Sequence, residues 1–304
     1  LMLRAKAVRF KQGNIKRRDK IISSTDAVGK LAGIPIVSNV VNATNRSSAG
    51  RKVLDKVLGI HPNAIVPQYH SRTLGKRVRD DNPADEAVQP AGPTAGKVAL
   101  FATCYGKYNE PQIGEDLVAV FRHNGIPVRL TGSEVCCGMP KLELGDLEAV
   151  KQAADANIPE LIRLIDAGWD IVAPVPSCVL MFKQELPLMF PENSDIARVR
   201  DAIYDPFEYL MLRHRHDRLK TDFNQSLGNV AYHVACHLRV QNIGMKTRDV
   251  LELVPNTTVH PIERCTGHDG TYAVKSEFHE TSMKICRPVV NSVVRANAAH
   301  YSSD

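Results

Sequence analysis

The stretch Glu134-Val135-Cys136-Cys137-Gly138-Met139-Pro140 decides how the rest of the chain is read. Two adjacent cysteines put two thiols on one short turn, and Gly138 lets the backbone bend sharply enough for both to face one centre. Working outward, Cys104 lies 32 residues upstream of Cys136, and Cys178 lies 41 residues downstream of Cys137. Each follows an apolar run: Val98-Ala99-Leu100-Phe101-Ala102 before Cys104, and Ile171-Val172-Ala173-Pro174-Val175 before Cys178. Runs of this length, bounded by turn residues, predict buried strands. Three distant segments thus each deliver thiols at a strand end or a loop. Four gathered thiols suit an iron–sulfur cluster, which cysteine thiolates hold. The same four could form a structural zinc site or stay reactive free thiols.

Around these cysteines the pattern alternates. A strand over 97–102 leads to Cys104, and a helix over about 112–124 ends before Gly125. A second strand, about 126–131, leads to Cys136. A helix with Val150, Ala154, Ile158, Leu161 and Ile165 on one face ends at Gly168, and a third strand over 170–175 leads to Pro176-Ser177-Cys178. Strand, helix, strand, helix, strand predicts a parallel α/β unit. The pattern then repeats. Val230-Ala231-Tyr232-His233-Val234-Ala235-Cys236 matches Val98 to Cys104 at a constant offset of 132. A helix over about 246–254 and a strand over 257–262 follow. Arg264-Cys265-Thr266-Gly267 then occupies the place of Cys136-Cys137-Gly138, with Thr266 where the second thiol would be. After a helix over about 276–297 a third strand is due. The chain ends at Ser303-Asp304, so a C-terminal truncation is expected, with a further cysteine just past it. The predicted fold class is α/β: two pseudo-repeated parallel α/β halves, at 97–210 and 225–304, behind a basic helical arm and linker at 1–80.

Composition fits a globular chain: 304 residues, 43% hydrophobic and 24% charged. No run of 18 apolar residues suggests a membrane span, and Leu1-Met2-Leu3-Arg4 lacks the plan of a signal peptide. Seven cysteines, an odd number, in a chain without an export signal read as metal ligands or free thiols rather than disulfides. The net charge of +6 is split unevenly. Residues 1–79 carry 17 Lys and Arg against 3 Asp and Glu, and the remainder carries 22 against 30. A basic arm before an acidic body points to an acidic partner or an anionic membrane surface, or simply to a solvated face. Nucleic acid is not expected, because Phe10 is the only aromatic residue before Tyr69. Within the arm, a basic helix and a turn near Gly13-Asn14 are expected. Ser24-Thr25-Asp26 offers an N-cap, and a short helix over 47–59 should end at Gly59. Residues 80–96, with Asp80-Asp81-Asn82-Pro83 and Gln89-Pro90-Ala91-Gly92-Pro93, read as a linker. No Walker loop, no dinucleotide-binding glycine pattern and no Ser/His/Asp arrangement stands out.

These residues resemble the tandem cysteine-rich "CCG" iron–sulfur oxidoreductases, the family of the heterodisulfide reductase B subunit and, more closely, the anaerobic glycerol-3-phosphate dehydrogenase C subunit. The resemblance runs over nearly the whole chain. It includes Ser24-Thr25-Asp26, Val41-Asn42-Ala43-Thr44, Cys136-Cys137-Gly138, Lys183-Gln184-Glu185-Leu186-Pro187, Tyr232-His233-Val234-Ala235-Cys236-His237 and Gly270-Thr271-Tyr272. It implies a [4Fe-4S] cluster on Cys104, Cys136, Cys137 and Cys178, with Cys236 and Cys265 as parts of a second cluster motif. It also implies electron transfer beside a partner redox subunit such as a flavoprotein dehydrogenase, with quinone as a further candidate partner. With no export signal and a basic arm, the expected location is cytoplasmic, with peripheral attachment of the arm to the inner face of the cell membrane. In that family a ferredoxin-like domain usually precedes the arm, so the start is also expected to be clipped.

The chain departs from the family's pattern in three places. Disulfide-reducing relatives carry Cys-x-x-Cys at the third segment, whereas this chain has Cys178-Val179-Leu180-Met181, which suits a cubane better than a five-thiol cluster. Thr266 removes a thiol from the second site. Cys286 falls mid-helix and is expected as a buried core thiol. His237 and His268 flank the second-site thiols and are expected as outer contacts or surface residues. His214 and His216 should lie on a solvated helix face, and Lys183 to Pro187 should open a helix. Direct reduction of a disulfide or quinone by a second-site cluster, or a zinc–thiolate scaffold, are the competing functions.

Overall fold

The structure is a computed structural model that describes residues 2–13, 15–82, 88–268 and 270–303. Asn14, Pro83 and Asp304 lie outside the described residues, so the predicted turn, linker and terminus are described only in part. The arm folds as five helices: α1 (Met2–Lys11), α2 (Arg17–Ile22), α3 (Thr25–Ala32), α4 (Pro35–Arg46) and α5 (Ser48–Leu58). Helix α5 ends where expected, on Gly59 in the left-handed region at φ 60°. Ser24 sits at the N-cap of α3, but its side chain makes no capping bond. Its hydroxyl donates back to the Lys20 carbonyl at 2.6 Å and accepts from Lys141 at 2.7 Å.

The first half contains β1 (Val98–Leu100), α6 (Cys104–Tyr108), α7 (Pro111–His123), β2 (Val128–Leu130), α8 (Met139–Leu144), α9 (Leu147–Asp166) and β3 (Asp170–Val172). It continues through α10 (Pro176–Leu180), α11 (Leu186–Met189), α12 (Ser194–Ala202), β4 (Ile203–Tyr204) and α13 (Pro206–His214). Its four strands are all parallel, in the order β2-β1-β3-β4. Successive residues of β1 feed opposite faces, as the two-residue period of a strand requires. Ala99 and Phe101 pack with α9 to α12, while Val98, Leu100 and Ala102 pack with α7 and α13. Both faces are covered, which explains why Val98–Ala102 and the run from Ile171 are continuously apolar rather than alternating.

Two local expectations change here. Lys183 to Pro187 does not open a helix. It lies inside one that starts at Pro176 and widens to a π turn over Met181–Glu185 before α11. Pro187 has no N–H to give, so the hydrogen-bond ladder slips one residue instead of breaking. The linker is anchored at both described ends. Asp81 accepts from the Val128 amide at 2.9 Å and pairs with Arg122, and Asp80 accepts from Leu130 at 2.8 Å. At the other end, Asp170 accepts from the amides of Ala95 and Gly96 and from the Tyr209 hydroxyl.

The second half has β5 (Gly228–His233), α14 (Cys236–Arg239), α15 (Lys246–Leu251), β6 (Thr257–Ile262), α16 (His279–Ala296) and β7 (His300–Ser303). The third strand expected to be missing is present. β7 pairs parallel with β5, with Val230 opposite His300 and His233 opposite Ser303. The sheet order β6-β5-β7 reproduces β2-β1-β3. The residues His300-Tyr301-Ser302-Ser303 carry no apolar run, because this edge strand is largely exposed.

The arm is not a free appendage. α1 packs on α8 and α3 on α6, beside the first half. On the other side, Arg18 pairs with Glu277 and Asp19 with Lys275, Ser276 donates to Asp55, and His61 stacks on His279 at 4.0 Å. Part of its basic charge is consumed internally. The buried Arg51 donates to the carbonyls of His61, Pro62 and Ala64, fixing the turn after α5. The halves also meet directly, α13 against α15 and α10 against α14.

Candidate iron–sulfur site

The first thiol group lies at the carboxyl ends of three neighbouring parallel strands, where side chains from separate loops converge. Cys104 opens α6 directly after β1. Cys136 and Cys137 follow β2 across the loop through Val135, and Cys178 lies in α10 after β3. The residue before Cys104 is strained. Thr103 has φ 63° and ψ 158°, a region that side chains with a Cβ seldom enter, at a cost of about 1–3 kcal/mol. Its hydroxyl offsets part of that cost by accepting from the Gly106 amide at 3.0 Å, capping α6. Gly138 has φ 98°, the turn residue the sequence required.

The four thiols form a contiguous group. Cys104 and Cys136 Sγ are 3.9 Å apart. Cys137 lies beside the sulfurs of Cys136 and Cys178. Cys137 and Cys178 are buried, and Cys104 and Cys136 are half-buried. Shared hydrogen bonds divide their acidities. Cys104 and Cys137 are pushed up, first because each bonds to the Cys136 sulfur. Cys136 is held well below the ordinary thiol value, first by the Cys104 thiol and then by that of Cys137. The group therefore favours a negative sulfur at Cys136, the form that binds metals.

Residues that carry no sequence signal hold this turn. Asn157, buried on α9, accepts from the Val135 amide at 3.0 Å and donates to the carbonyls of Val135 and Cys136 at 3.3 Å. Glu134 accepts from Thr131 at 2.8 Å and from Lys107 at 3.1 Å, tying the loop to α6. The Met181 methyl lies 3.6 Å from the place a Cβ on Gly138 would take, so the π turn covers the site. From the arm, Asp26 accepts from the Cys136 amide. Burial raises the Asp26 pKa, with the Cys136 N–H acting in the opposite direction. Thr25 lies beside the Cys104 and Cys136 sulfurs. Its buried oxygen makes no hydrogen bond of good geometry among the described residues, a condition that costs about 1–3 kcal/mol if left unmet.

The second group is smaller. Cys236 follows β5 and Cys265 follows β6; both are exposed. They lie together: Cys236 is raised first by burial and then by Cys265. Cys265 Sγ accepts from the Gly267 amide at 3.3 Å. His237 is turned toward the first half, with Nδ1 2.7 Å from Ser177 Oγ and Nε2 4.0 Å from Glu143. His268 is exposed. Cys286, expected in the core, is half-buried on α16 instead. His214 is half-buried at the end of α13, and His216 is exposed past it.

The first group fits a cluster by its chemistry. It supplies four thiols, one of them held as thiolate at Cys136, a wall of core residues and one buried hydroxyl short of an acceptor. Among the described residues no three His, Cys, Asp or Glu side chains converge as ligands of one ion. A cluster asks for a different arrangement, with its cysteines shared among several irons.

Comparison with known proteins follows the same division. The cysteine-rich domain family matches residues 98–183 and again 230–299. The C subunit of anaerobic glycerol-3-phosphate dehydrogenase from Escherichia coli (strain K12) is 28% identical over 284 residues, 92% of this chain and 69% of that protein. Lactate utilization protein A of Bacillus cereus (strain G9842) is 31% identical over 190 residues, 59% of this chain and 75% of that protein.

Proposed function

The chain belongs to the cysteine-rich domain (CCG) family, and on that premise we propose that it is the iron–sulfur electron-transfer subunit of a respiratory or anaerobic oxidoreductase. The homologies support the coarser statement directly: this is a cysteine-rich subunit of the kind associated with oxidoreductases. The observation that carries the finer reading is the meeting of Cys104, Cys136, Cys137 and Cys178 from three strand ends in one charge-sharing group. In this reading those four thiolates hold one [4Fe-4S] cluster, which supplies a one-electron couple. The chain's own part is to ligate, to exclude water and to set the potential. Burial of Cys137 and Cys178 against the α9 to α12 core keeps the local dielectric low, and hydrogen bonds to sulfur adjust the charge. Cys236 and Cys265 offer two thiolates, which suit a partial or empty second site rather than a full one.

The similarity to a protein named as part of a dehydrogenase supports a partner redox subunit here. The arm suits peripheral docking, either on that partner or on the inner face of the cell membrane. Residues 27–54 contain no acidic residue. Ile36 and Val40 on α4 and Val53 and Val57 on α5 are exposed at helical spacing, with Lys30, Arg46 and Lys52 also exposed. No helix among the described residues is long and apolar enough to cross a membrane. The test is iron and sulfide analysis with an electron paramagnetic resonance (EPR) spectrum of the anoxically reconstituted chain. Iron and sulfide with a reducible cluster signal support the reading, and zinc without sulfide replaces it with the scaffold. Co-sedimentation with anionic vesicles across a salt series tests the arm, whose binding should weaken as salt rises.

A further inference from the structure

The Ser24-Thr25-Asp26 run has the residue types of a helix cap, yet none of the three uses its side chain to cap α3. Asp26 spends a carboxylate oxygen on the amide of Cys136, 110 residues away. Thr25 buries its hydroxyl beside the Cys104 and Cys136 sulfurs, with no hydrogen bond of good geometry among the described residues. The start of α3 is also gripped from the far side of the cysteine turn. Lys141, on α8, reaches the Ser23 hydroxyl at 3.3 Å, the Ser24 hydroxyl at 2.7 Å and the Lys20 carbonyl at 3.4 Å. The arm is thus fastened both at Cys136 itself and at Lys141 on the helix that follows the turn, and a donor without a good acceptor lies beside sulfur.

We infer that Thr25 and Asp26 are positioning residues of the first thiol site, so that the arm supplies one wall of the redox centre. Asp26 holds the Cys136 amide and so fixes the direction in which the Cys136-Cys137 turn presents its thiols. Thr25 donates its O–H to the sulfur of Cys104 or Cys136. A donor to a thiolate stabilises negative charge on sulfur, and so favours the reduced cluster and raises its potential. In its cluster aspect the inference rests on the function proposed above.

The test uses the full chain with Thr25→Val, Thr25→Ser, Asp26→Ala and Asp26→Asn, reconstituted anoxically. Thr25→Val keeps the volume and removes the donor. It should retain iron and shift the reduction potential downward, while Thr25→Ser should return it toward the wild-type value. Asp26→Asn keeps an acceptor and should retain iron, whereas Asp26→Ala should lose a large part of it. A Thr25→Val potential equal to wild type at full iron content, or full iron in Asp26→Ala, overturns the inference. A second measurement on iron-free protein separates this outcome from failure of the cluster reading. Alkylation of Cys104 and Cys136 should change in Thr25→Val and recover in Thr25→Ser, with Cys286 unchanged as an internal reference. If wild type binds no iron, the cluster reading fails while this arm still decides. Unchanged alkylation at both cysteines then overturns the placement of Thr25.

Discussion

The two halves share a strand order but differ in what that order encloses. Both place a cysteine after the central strand and another after the first crossover. In the first half the strand ends lie under α9 to α12, the π turn and the arm, and four thiols are gathered with two fully buried. In the second half the equivalent thiols are two, both exposed, and the hydrophobic cluster toward α16 has Ala231, Ile262 and Val289 as its buried members among the described residues. The backbone differs as well: Thr103 before Cys104 is strained at φ 63°, while its counterpart Ala235 relaxes at φ −60°. The same topology therefore brings thiols together in both halves. Burial and outer contacts, added by α9 to α12 and by the arm, distinguish a buried thiol cage from an open pair.

The largest test of this contrast is by ligand removal. Cys136→Ser and Cys137→Ser should each abolish the first-site EPR signal and most of the bound iron, since only four thiols are available there. Cys236→Ser with Cys265→Ser should leave that signal intact. Loss of signal in the second pair alone would reverse the assignment.

Core truncation should be as uneven as the packing. Phe121 is fully buried against Tyr209 in the first half, and Phe121→Ala should cost about 3–5 kcal/mol. Val289→Ala, in the thinner second core, should fall in the ordinary range of about 0.5–3 kcal/mol. Urea denaturation of both variants reads the difference, and equal losses would argue against the contrast in packing.

The first half also carries a buried acid. Burial raises Asp170 from 3.8 to about 6, against the opposing bonds from Tyr209, Ala95 and Gly96. Its protonated form is favoured in the folded chain. Its contribution is therefore fully present below the unfolded value and is lost as pH rises through about 6. At about 1.4 kcal/mol per unit, the change amounts to roughly 3 kcal/mol. Asp170→Asn should lack this loss, so its stability relative to wild type should rise between about pH 4 and pH 6. Parallel pH profiles would contradict the assignment.

The smallest effect concerns access. In iron-free protein, Cys236 and Cys265 should alkylate at least about tenfold faster than Cys137 and Cys178, whose exposure requires local opening worth about 1.4 kcal/mol or more. Mass-spectrometric mapping of the labelled cysteines reads it directly, and equal rates would remove the distinction between buried cage and open pair.

Much of this arrangement is legible in the residues alone. The apolar runs before Cys104 and Cys178, the offset of 132 and the Cys136-Cys137-Gly138 turn identify both sheets and the thiols. β7 escapes such a reading because an exposed edge strand of His-Tyr-Ser-Ser has no apolar signal, and β4 because two residues carry no period. The contacts of Thr25, Asp26 and Asn157 are not legible, since they join residues through space across 21 to 111 positions. The arm's charge suggests a surface, while Arg51 and Arg18 are spent on carbonyls and on Glu277 within the fold. Charge counts record residue types and cannot report partners.

One cluster, held by Cys104, Cys136, Cys137 and Cys178, is the central claim. Iron and acid-labile sulfide per chain, measured after anoxic reconstitution and gel filtration, tests it most directly. One [4Fe-4S] cluster predicts about four irons and four sulfides. About eight of each would place a full cluster on the second half as well, and iron near zero with intact folding would contradict the claim outright.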